Sequence, residues 1–214
     1  MLNLLKILLL PLFLTYLCAC APAPTIKSEA APEFAAEGLH PVASSGFSSA
    51  YAIPDANLAS YSAVNVRPMK LDEVEISQTA MANTLRRNWQ MTPGRINALQ
   101  ETWEGSMSRA FRSYQQVGEG DIGLGISAEI VRIAPGRPTA TTIGGGVQPV
   151  GSTQDVIEIF VEFRLYDQPD GKLVAVIRDS RTMLSVAMSR TAPAAIQTMF
   201  NSWAALLHTR ISGR

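Results

Sequence analysis

The sequence feature that most constrains the fold is a run of alternating side chains over residues 155–166. Apolar residues occupy every second position of this run: Ile157, Ile159, Val161, Phe163 and Leu165. Charged residues lie among the positions between them: Glu158, Glu162 and Arg164. A strand places successive side chains on opposite faces, so this pattern predicts a strand with one buried face. Other elements of the chain must then cover that face.

Three further segments are predicted to be strands. Residues 61–69 (YSAVNVRPM) are rich in apolar and β-branched side chains, and residues 121–134 alternate in polarity. Residues 172–183 follow the sequence Pro169-Asp170-Gly171, which is typical of a turn because proline presets one dihedral and glycine accepts a positive φ. The last two strands of the chain are therefore expected to form an antiparallel hairpin.

Two segments show the period of an amphipathic helix. Thr92-Pro93 and Thr191-Ala192-Pro193 are helix starts, with proline in the first turn. The first apolar stripe comprises Ile96, Leu99, Trp103, Met107, Ala110, Phe111 and Tyr114, and Gly118 and Gly120 are expected to end that helix. The second comprises Ile196, Phe200, Trp203, Leu207 and Ile211. Residues 71–91 leave both a short helix and an irregular segment open.

The order of elements is therefore β-α-β-β-β-α. It predicts an α+β fold, a two-layer sandwich in which a four-stranded, mainly antiparallel sheet carries both helices on one face. We expect Trp103 and Trp203 to lie in the core between the layers. Residues 58–214 would form this single domain, and the first two strands, if they are neighbours, would be joined by a right-handed crossover.

The first 19 residues predict a lipoprotein signal peptide. Lys6 gives a positive start, and the apolar run that follows is shorter than the roughly 20 residues of a membrane-spanning helix. Residues 17–20 are similar to a bacterial lipobox, in which Leu17 and Ala19 are recognised by the signal peptidase and Cys20 receives the lipid. Cleavage is expected just before Cys20.

Lipid on Cys20 would hold the mature chain on a membrane. Its thiolate is the nucleophile for a diacylglyceryl group, and more than one acyl chain, such as palmitate, makes such an anchor stable. Ala21 occupies the position where aspartate would favour the inner membrane, so we expect an outer-membrane lipoprotein facing the periplasm. Residues 20–57 are rich in Ala, Pro, Ser and Gly, and we expect a lipidated cysteine followed by a flexible tether.

Composition argues against several classes of function. The mature chain has 17 Lys and Arg residues against 18 Asp and Glu, which gives no positive field for nucleic acid. The full chain has two cysteines, Cys18 and Cys20, and both lie at the leader boundary, so the folded part offers no thiol chemistry. Its two histidines are expected to be surface residues, His40 in the tether and His208 on the last helix. We therefore expect no metal, no cofactor and no catalytic residue.

Two further motifs favour structural interpretations. Residues 118–123 match the pattern G-x-G-x-x-G, but a helix precedes them and a strand follows, the reverse of a dinucleotide site. Glu158 and Glu162 share one strand face, where a solvated surface is favoured over acid–base chemistry. Asp167 and Asp170 are interpreted as turn residues.

The long connection over residues 135–153 contains Gly144-Gly145-Gly146 and little charge. It joins two strands that a few residues could connect. Two interpretations remain open: a tolerated surface insertion, and a mobile segment that becomes ordered on a partner.

These features resemble a class of uncharacterised bacterial lipoproteins that share a domain of unknown function. The resemblance covers residues 58–214 and rests on the lipobox, the strand over 61–69, the strand from Asp121, the hairpin QPDGKLVAV (168–176) and the helix Phe200-x-x-Trp203-Ala204-x-x-Leu207. It implies no substrate and no catalytic residues. We expect a lipoprotein that binds a protein partner of the cell envelope. A carrier or sensor of an apolar small molecule is the alternative, and an enzyme comes third.

Overall fold

The computed structural model describes residues 22–77, 91–135, 156–168, 170–184 and 193–213. Within them the chain forms an α+β domain with one mixed sheet and two α-helices. The strands are β1 (Thr25–Ile26), β2 (His40–Ala43), β3 (Ser49–Ala52), β4 (Ala63–Val66), β5 (Glu75–Ile76), β6 (Gln115–Gln116), β7 (Gly123–Pro135), β8 (Val156–Gln168) and β9 (Lys172–Leu184). The helices are α1 (Pro93–Ala110) and α2 (Pro193–Ser212), and short 3₁₀ turns lie at Pro32–Phe34 and Leu58–Ser60.

The centre of the sheet consists of the three long strands β7, β8 and β9, which are antiparallel to one another. The full order is β1-β2-β3-β9-β8-β7-β4-β6, and β5 also pairs with β7. The predicted first strand is β4, which lies parallel to β7 with Val64 opposite Leu124. The predicted hairpin of β8 and β9 is confirmed, and Gly171 has a positive φ of 67° in its turn.

One face of the sheet is apolar and carries both helices. Phe163 on β8 lies against both tryptophans, with ring centroids 5.9 Å from Trp103 of α1 and 6.1 Å from Trp203 of α2. Both tryptophans are fully buried. Each indole N–H has a partner, because Trp103 donates to the Arg67 carbonyl and Trp203 to the Asp179 carboxylate. The prediction that the tryptophans join helices and sheet is confirmed.

Helix α1 starts where the sequence predicts and ends earlier. The Thr92 side chain accepts a hydrogen bond from the Arg95 backbone N–H, and proline follows the cap. The helix ends at Ala110, and Phe111 has left the helical conformation. Tyr114 therefore lies beyond the helix, although its spacing continues the apolar stripe. Among the described residues, no helix is long and apolar enough to cross a membrane.

The sheet is larger and more mixed than the predicted four antiparallel strands. In the described part of the chain nine strands take part, and the pairs β4–β6, β4–β7 and β5–β7 are parallel. The five additional strands, β1, β2, β3, β5 and β6, are each only two to four residues long, too short for an alternation pattern to appear in the sequence. Residues 71–77 contain one of these strands, β5, and residues 78–90 lie outside the described part of the chain.

The N-terminal segment departs most from expectation. Residues 20–57 were expected to be a tether, yet β3 pairs with the long strand β9 along Ser49–Ala52, and β2 and β1 extend the sheet further. Ala50 and Ala52 are buried, and on the opposite face Phe34 and Leu39 cover Val176. This segment has the composition of a linker because its buried side chains are mostly small. The described domain thus begins at about residue 25 instead of 58.

Candidate functional site

The face of the sheet opposite the helices carries the most distinctive surface chemistry. Its side chains on β7, β8 and β9 are largely charged, hydroxylic or aromatic, and the residues in register are Ser127, Glu129, Arg132, Glu158, Phe160, Glu162, Arg164, Tyr166, Arg178 and Ser180. We call this surface the helix-free face. Neither α1 nor α2 lies on it, and the segment containing Phe34 and Leu39 covers it at the β9 side.

Glu162 is the electrostatic centre of the helix-free face. It is only 7% exposed. Its carboxylate accepts a hydrogen bond from Arg178 Nε at 2.7 Å and another from Arg164 Nε at 2.6 Å. A buried carboxylate requires such partners, since an unpaired charge would carry a large desolvation cost. The expectation that Glu162 lies on a solvated surface is therefore wrong.

The two arginines determine the ionisation of Glu162. Burial alone raises the pKa of its carboxyl, but the hydrogen bonds from Arg178 and Arg164 have the larger combined effect and lower the pKa overall. The same hydrogen bonds raise the pKa of both guanidinium groups. The cluster is thus a fixed arrangement of charges near neutral pH and gives no sign of a proton-transfer group.

Arg178 also attaches the N-terminal segment to the helix-free face. Its guanidinium lies 5.1 Å from the Phe34 ring centroid and 6.0 Å from that of Tyr51. A further contact of 3.3 Å joins Arg178 Nη1 to Glu33 Oε1. A hydrogen bond to Glu33, together with burial, raises the pKa of the Tyr51 phenol. One arginine therefore joins the central strands to the N-terminal segment of the described domain.

The part of the helix-free face next to this cluster combines an arginine with an aromatic ring. Arg132 lies over Phe160, with its guanidinium carbon 4.1 Å from the ring centroid. Beside this pair, Ser180 donates a hydrogen bond of 2.6 Å to Glu158. Both Arg132 and Phe160 are half-buried, so each retains surface that a partner could cover. Arginine and aromatic side chains are enriched in protein interfaces.

A second feature is an apolar crevice on the opposite, helix-bearing side of the sheet, at its β1–β3 edge. Its volume is about 150 Å³, and its lining includes Ile26, Val42, Phe47, Ala52, Leu58 and Arg210. Arg210 Nε donates a hydrogen bond of 2.6 Å to the Ser45 carbonyl. Gly46 permits this approach, because it has a φ of 81° and a Cβ there would lie 3.1 Å from Arg210 Nη2.

The sequence-predicted site residues and the two histidines lie in different parts of the chain. Leu17, Ala19 and Cys20 lie outside the described residues, as do Trp89 and nearly all of the connection over 135–153. His40 Nδ1 lies 2.9 Å from the Lys27 carbonyl, within the sheet instead of a tether. His208 is half-buried, with its ring centroid 5.4 Å from Phe111.

The other motifs have structural roles. In the 118–123 segment, the Asp121 side chain accepts a hydrogen bond from the Gly118 N–H, and Gly120 has a φ of 87°. This segment connects β6 to β7, so the expectation that Gly118 and Gly120 end the first helix is wrong: α1 already ends at Ala110. Burial, followed by a hydrogen bond to Asp167, raises the pKa of Tyr61 to about 12. Within the described residues, no group of three or more His, Cys, Asp and Glu side chains could hold a metal ion.

The sequence analysis did not predict that Arg178 connects Glu162 to the N-terminal segment. The alternation in β8 places Glu162 and Arg164 on one face, but the hydrogen bond to Arg178 depends on the register between β8 and β9. A turn centred on Asp170-Gly171 places Glu162 near Arg178, so the hairpin itself contained a usable signal. The contacts to Phe34 and Tyr51 had no such signal, because they depend on long-range pairing of β3 with β9.

No protein-family model matches the sequence, and no significant match is found among curated proteins. Among solved structures, protein XCC0632 from Xanthomonas campestris, of the DUF330 family, is 13% identical with a TM-score of 0.45, covering 75% of this chain and 89% of that one. The PelC dodecamer subunit from Paraburkholderia phytofirmans is 9% identical with a TM-score of 0.39, covering 71% and 92%. A minor lipoprotein from Acinetobacter baumannii is 9% identical with a TM-score of 0.31, covering 72% and 94%. Similarity at this level transfers no function to this chain.

Proposed function

We propose that this chain is a lipoprotein, anchored through Cys20 in the outer membrane and facing the periplasm, whose domain binds a protein partner of the cell envelope through its helix-free face. The arrangement of Glu162 between Arg178 and Arg164, beside the stacked pair of Arg132 and Phe160, is the observation that carries the proposal.

The anchoring part of the proposal is supported by the sequence. Leu17, Ala19 and Cys20 have the spacing of a lipobox, and a short apolar run precedes them. The residue after Cys20 is alanine, which favours the outer membrane. The described domain starts only a few residues later, at Thr25, so a domain anchored at Cys20 would act close to the membrane.

The binding part of the proposal is supported by the preorganised side chains. The two arginines are held by Glu162 and the guanidinium of Arg132 is held by Phe160, so their conformational entropy is already reduced before a partner arrives. The face carries both signs of charge and two aromatic rings, Phe160 and Tyr166. Such a mixed surface suits a folded protein partner better than nucleic acid or an anionic lipid surface.

The apolar crevice is the feature on which the alternative function, a carrier or sensor of an apolar small molecule, would depend. Its volume of about 150 Å³ is below the usual range of ligand pockets, which starts at roughly 300 Å³. The crevice can therefore hold a short apolar group but not a whole lipid. For this reason the helix-free face is the better candidate for the main function.

Site-specific photo-crosslinking in intact cells tests the proposal. Benzoylphenylalanine replaces Phe160 in one variant and Glu101, an exposed residue of α1, in a second variant. We expect a specific envelope protein to be crosslinked from position 160 and not from position 101. Similar adducts from both positions, or none from position 160, would overturn the proposal.

A second test combines charge reversal with benzoylphenylalanine at position 160. Arg132→Glu changes the helix-free face, whereas Arg112→Glu changes an exposed residue just after α1. We expect only Arg132→Glu to reduce the crosslink, with both variants keeping the wild-type melting temperature within a few degrees. Equal loss in both variants would indicate a non-specific charge effect.

A further inference from the structure

The apolar crevice lies beside the point where the chain emerges from its membrane anchor. Pro24 and Ile26 both line it, together with Phe47 from the connection between β2 and β3. Ile26 is 38% exposed, an unusual degree for a large apolar side chain in this domain. Among the described residues that line the crevice, Arg210 alone is charged, and it donates a hydrogen bond to the Ser45 carbonyl, so the interior of the crevice is largely apolar.

The length of chain between Cys20 and this crevice is short. Cys20 precedes Pro24 by four residues. A fully extended chain spans at most about 3.5 Å per residue, so the lipidated sulfur and amine lie within roughly 15 Å of the crevice. A group carried on Cys20 is therefore presented to the crevice at an effective concentration in about the millimolar range.

We propose that the crevice binds a segment of an acyl chain carried by Cys20. An apolar cavity of about 150 Å³ holds a group the size of benzene, so the crevice has room for roughly six carbons of the chain. Inside a bilayer the acyl chain already has an equally apolar environment. Binding to the crevice therefore shelters the segment from water when the anchor is not fully inserted. This inference rests on the lipidation included in the proposed function.

Intramolecular photo-crosslinking with a labelled anchor tests the inference. The full precursor is produced in cells fed an alkyne-tagged palmitate, with benzoylphenylalanine in place of Phe47, which it resembles in shape. A second variant carries it in place of Leu58, also in the crevice, in case the first is poorly folded. The control carries it in place of Ala98, an exposed residue of α1.

After irradiation and digestion, mass spectrometry distinguishes the sources of the captured chain. We expect the peptide with residue 47 or 58 to be joined to the Cys20 peptide through the acyl chain, at least about tenfold above the Ala98 control, given the high effective concentration. Capture of a phospholipid instead of the Cys20 peptide would overturn the inference, and so would equal capture at the control position.

The same samples separate this inference from the proposed lipidation. Before irradiation, the alkyne tag must be present on wild-type protein and absent from Cys20→Ser. If the tag is missing from the wild type, the proposed lipid anchor itself is wrong, and the inference falls with it. If the tag is on Cys20 and neither crevice position captures it, the anchor stands and the crevice assignment alone is wrong.

Discussion

Removing the indole N–H of Trp203 is expected to destabilise the domain more than the same change at Trp103. Both side chains are fully buried between helices and sheet. Trp203 Nε1 donates to Asp179 Oδ2 at 2.8 Å, whereas Trp103 Nε1 donates to the neutral Arg67 carbonyl at 3.0 Å. Asp179 on β9 also accepts hydrogen bonds from the Ser48 N–H and hydroxyl, so Asp179 joins α2 both to β9 and to the residue before β3.

The difference in cost between the two tryptophan substitutions follows from the charge of the hydrogen-bond acceptor. A hydrogen bond to a charged group contributes about 1.5–3 kcal/mol, and a neutral one about 0.5–1.5 kcal/mol. Phenylalanine keeps most of the apolar contact in both places, so Trp203→Phe should cost about 1 kcal/mol more than Trp103→Phe. Truncation is more severe, and Trp203→Ala or Trp103→Ala should each cost about 3–5 kcal/mol.

Urea unfolding followed by far-ultraviolet circular dichroism measures these costs. The mature chain with Cys20→Ser avoids the lipid, and a shift of the midpoint at constant slope reports a change in stability. In an Asp179→Asn background, Trp203→Phe should cost less than in the wild type, whereas the cost of Trp103→Phe should stay the same. Equal costs for the two phenylalanine variants would refute the role of Asp179. A loss below about 1 kcal/mol for either alanine variant would place that tryptophan at the surface.

Three further predictions concern the anchor, the charge cluster and the long connection. Labelled palmitate should enter the wild type and not Cys20→Ala, and release of an unlabelled soluble wild-type protein would contradict the lipobox. Glu162→Gln should cost about 1–2 kcal/mol at pH 7, less than a fully buried pair because Arg178 and Arg164 are 41% and 47% exposed. The folded-state pKa of Glu162 is lowered, so its stabilisation is present above its usual pKa of 4.5 and is lost as the pH falls through the folded-state pKa. The difference between the wild type and the variant should therefore vanish in acid, and a difference that persists there would show a packing effect. Replacing residues 137–150 with a short Gly-Ser linker should leave the melting temperature nearly unchanged, and unfolding would assign the connection to the core.

The elements that the sequence predicts well are those long enough to show a period. Strands β7, β8 and β9 are each 13 residues long, and α1 and α2 have 18 and 20 residues. Each of these elements buries one side, so the spacing of its apolar residues predicts whether it is a strand or a helix. The tryptophans could be assigned to the core for the same reason, because Trp103 and Trp203 fall on the apolar stripes.

The elements that the sequence did not predict are stabilised by pairing with distant segments. Residues 40–43 and 49–52 form their hydrogen bonds with each other and with β9. Their buried residues include alanines, which are also common in linkers and therefore do not indicate a strand. The helix-free face shows the same limit. The alternation along β8 predicts which of its residues share this face. The burial of Glu162, however, depends on Arg178 on the next strand and on the segment over it. A solvated surface and a buried ion cluster have the same local sequence.

The early start of the domain changes how the proposed anchor would act. A tether running from Cys20 to residue 57 could extend more than about 100 Å from the membrane. By contrast, Thr25 is the fifth residue after Cys20, which gives about 18 Å at full extension. With lipid on Cys20, the domain would therefore be held against the membrane. Arg178 attaches the segment after Thr25 to the central strands, so folded structure joins the helix-free face to this segment. Under the proposed anchoring, a partner on or in the same membrane would be within reach of this face, whereas a partner on the far side of the periplasm would not.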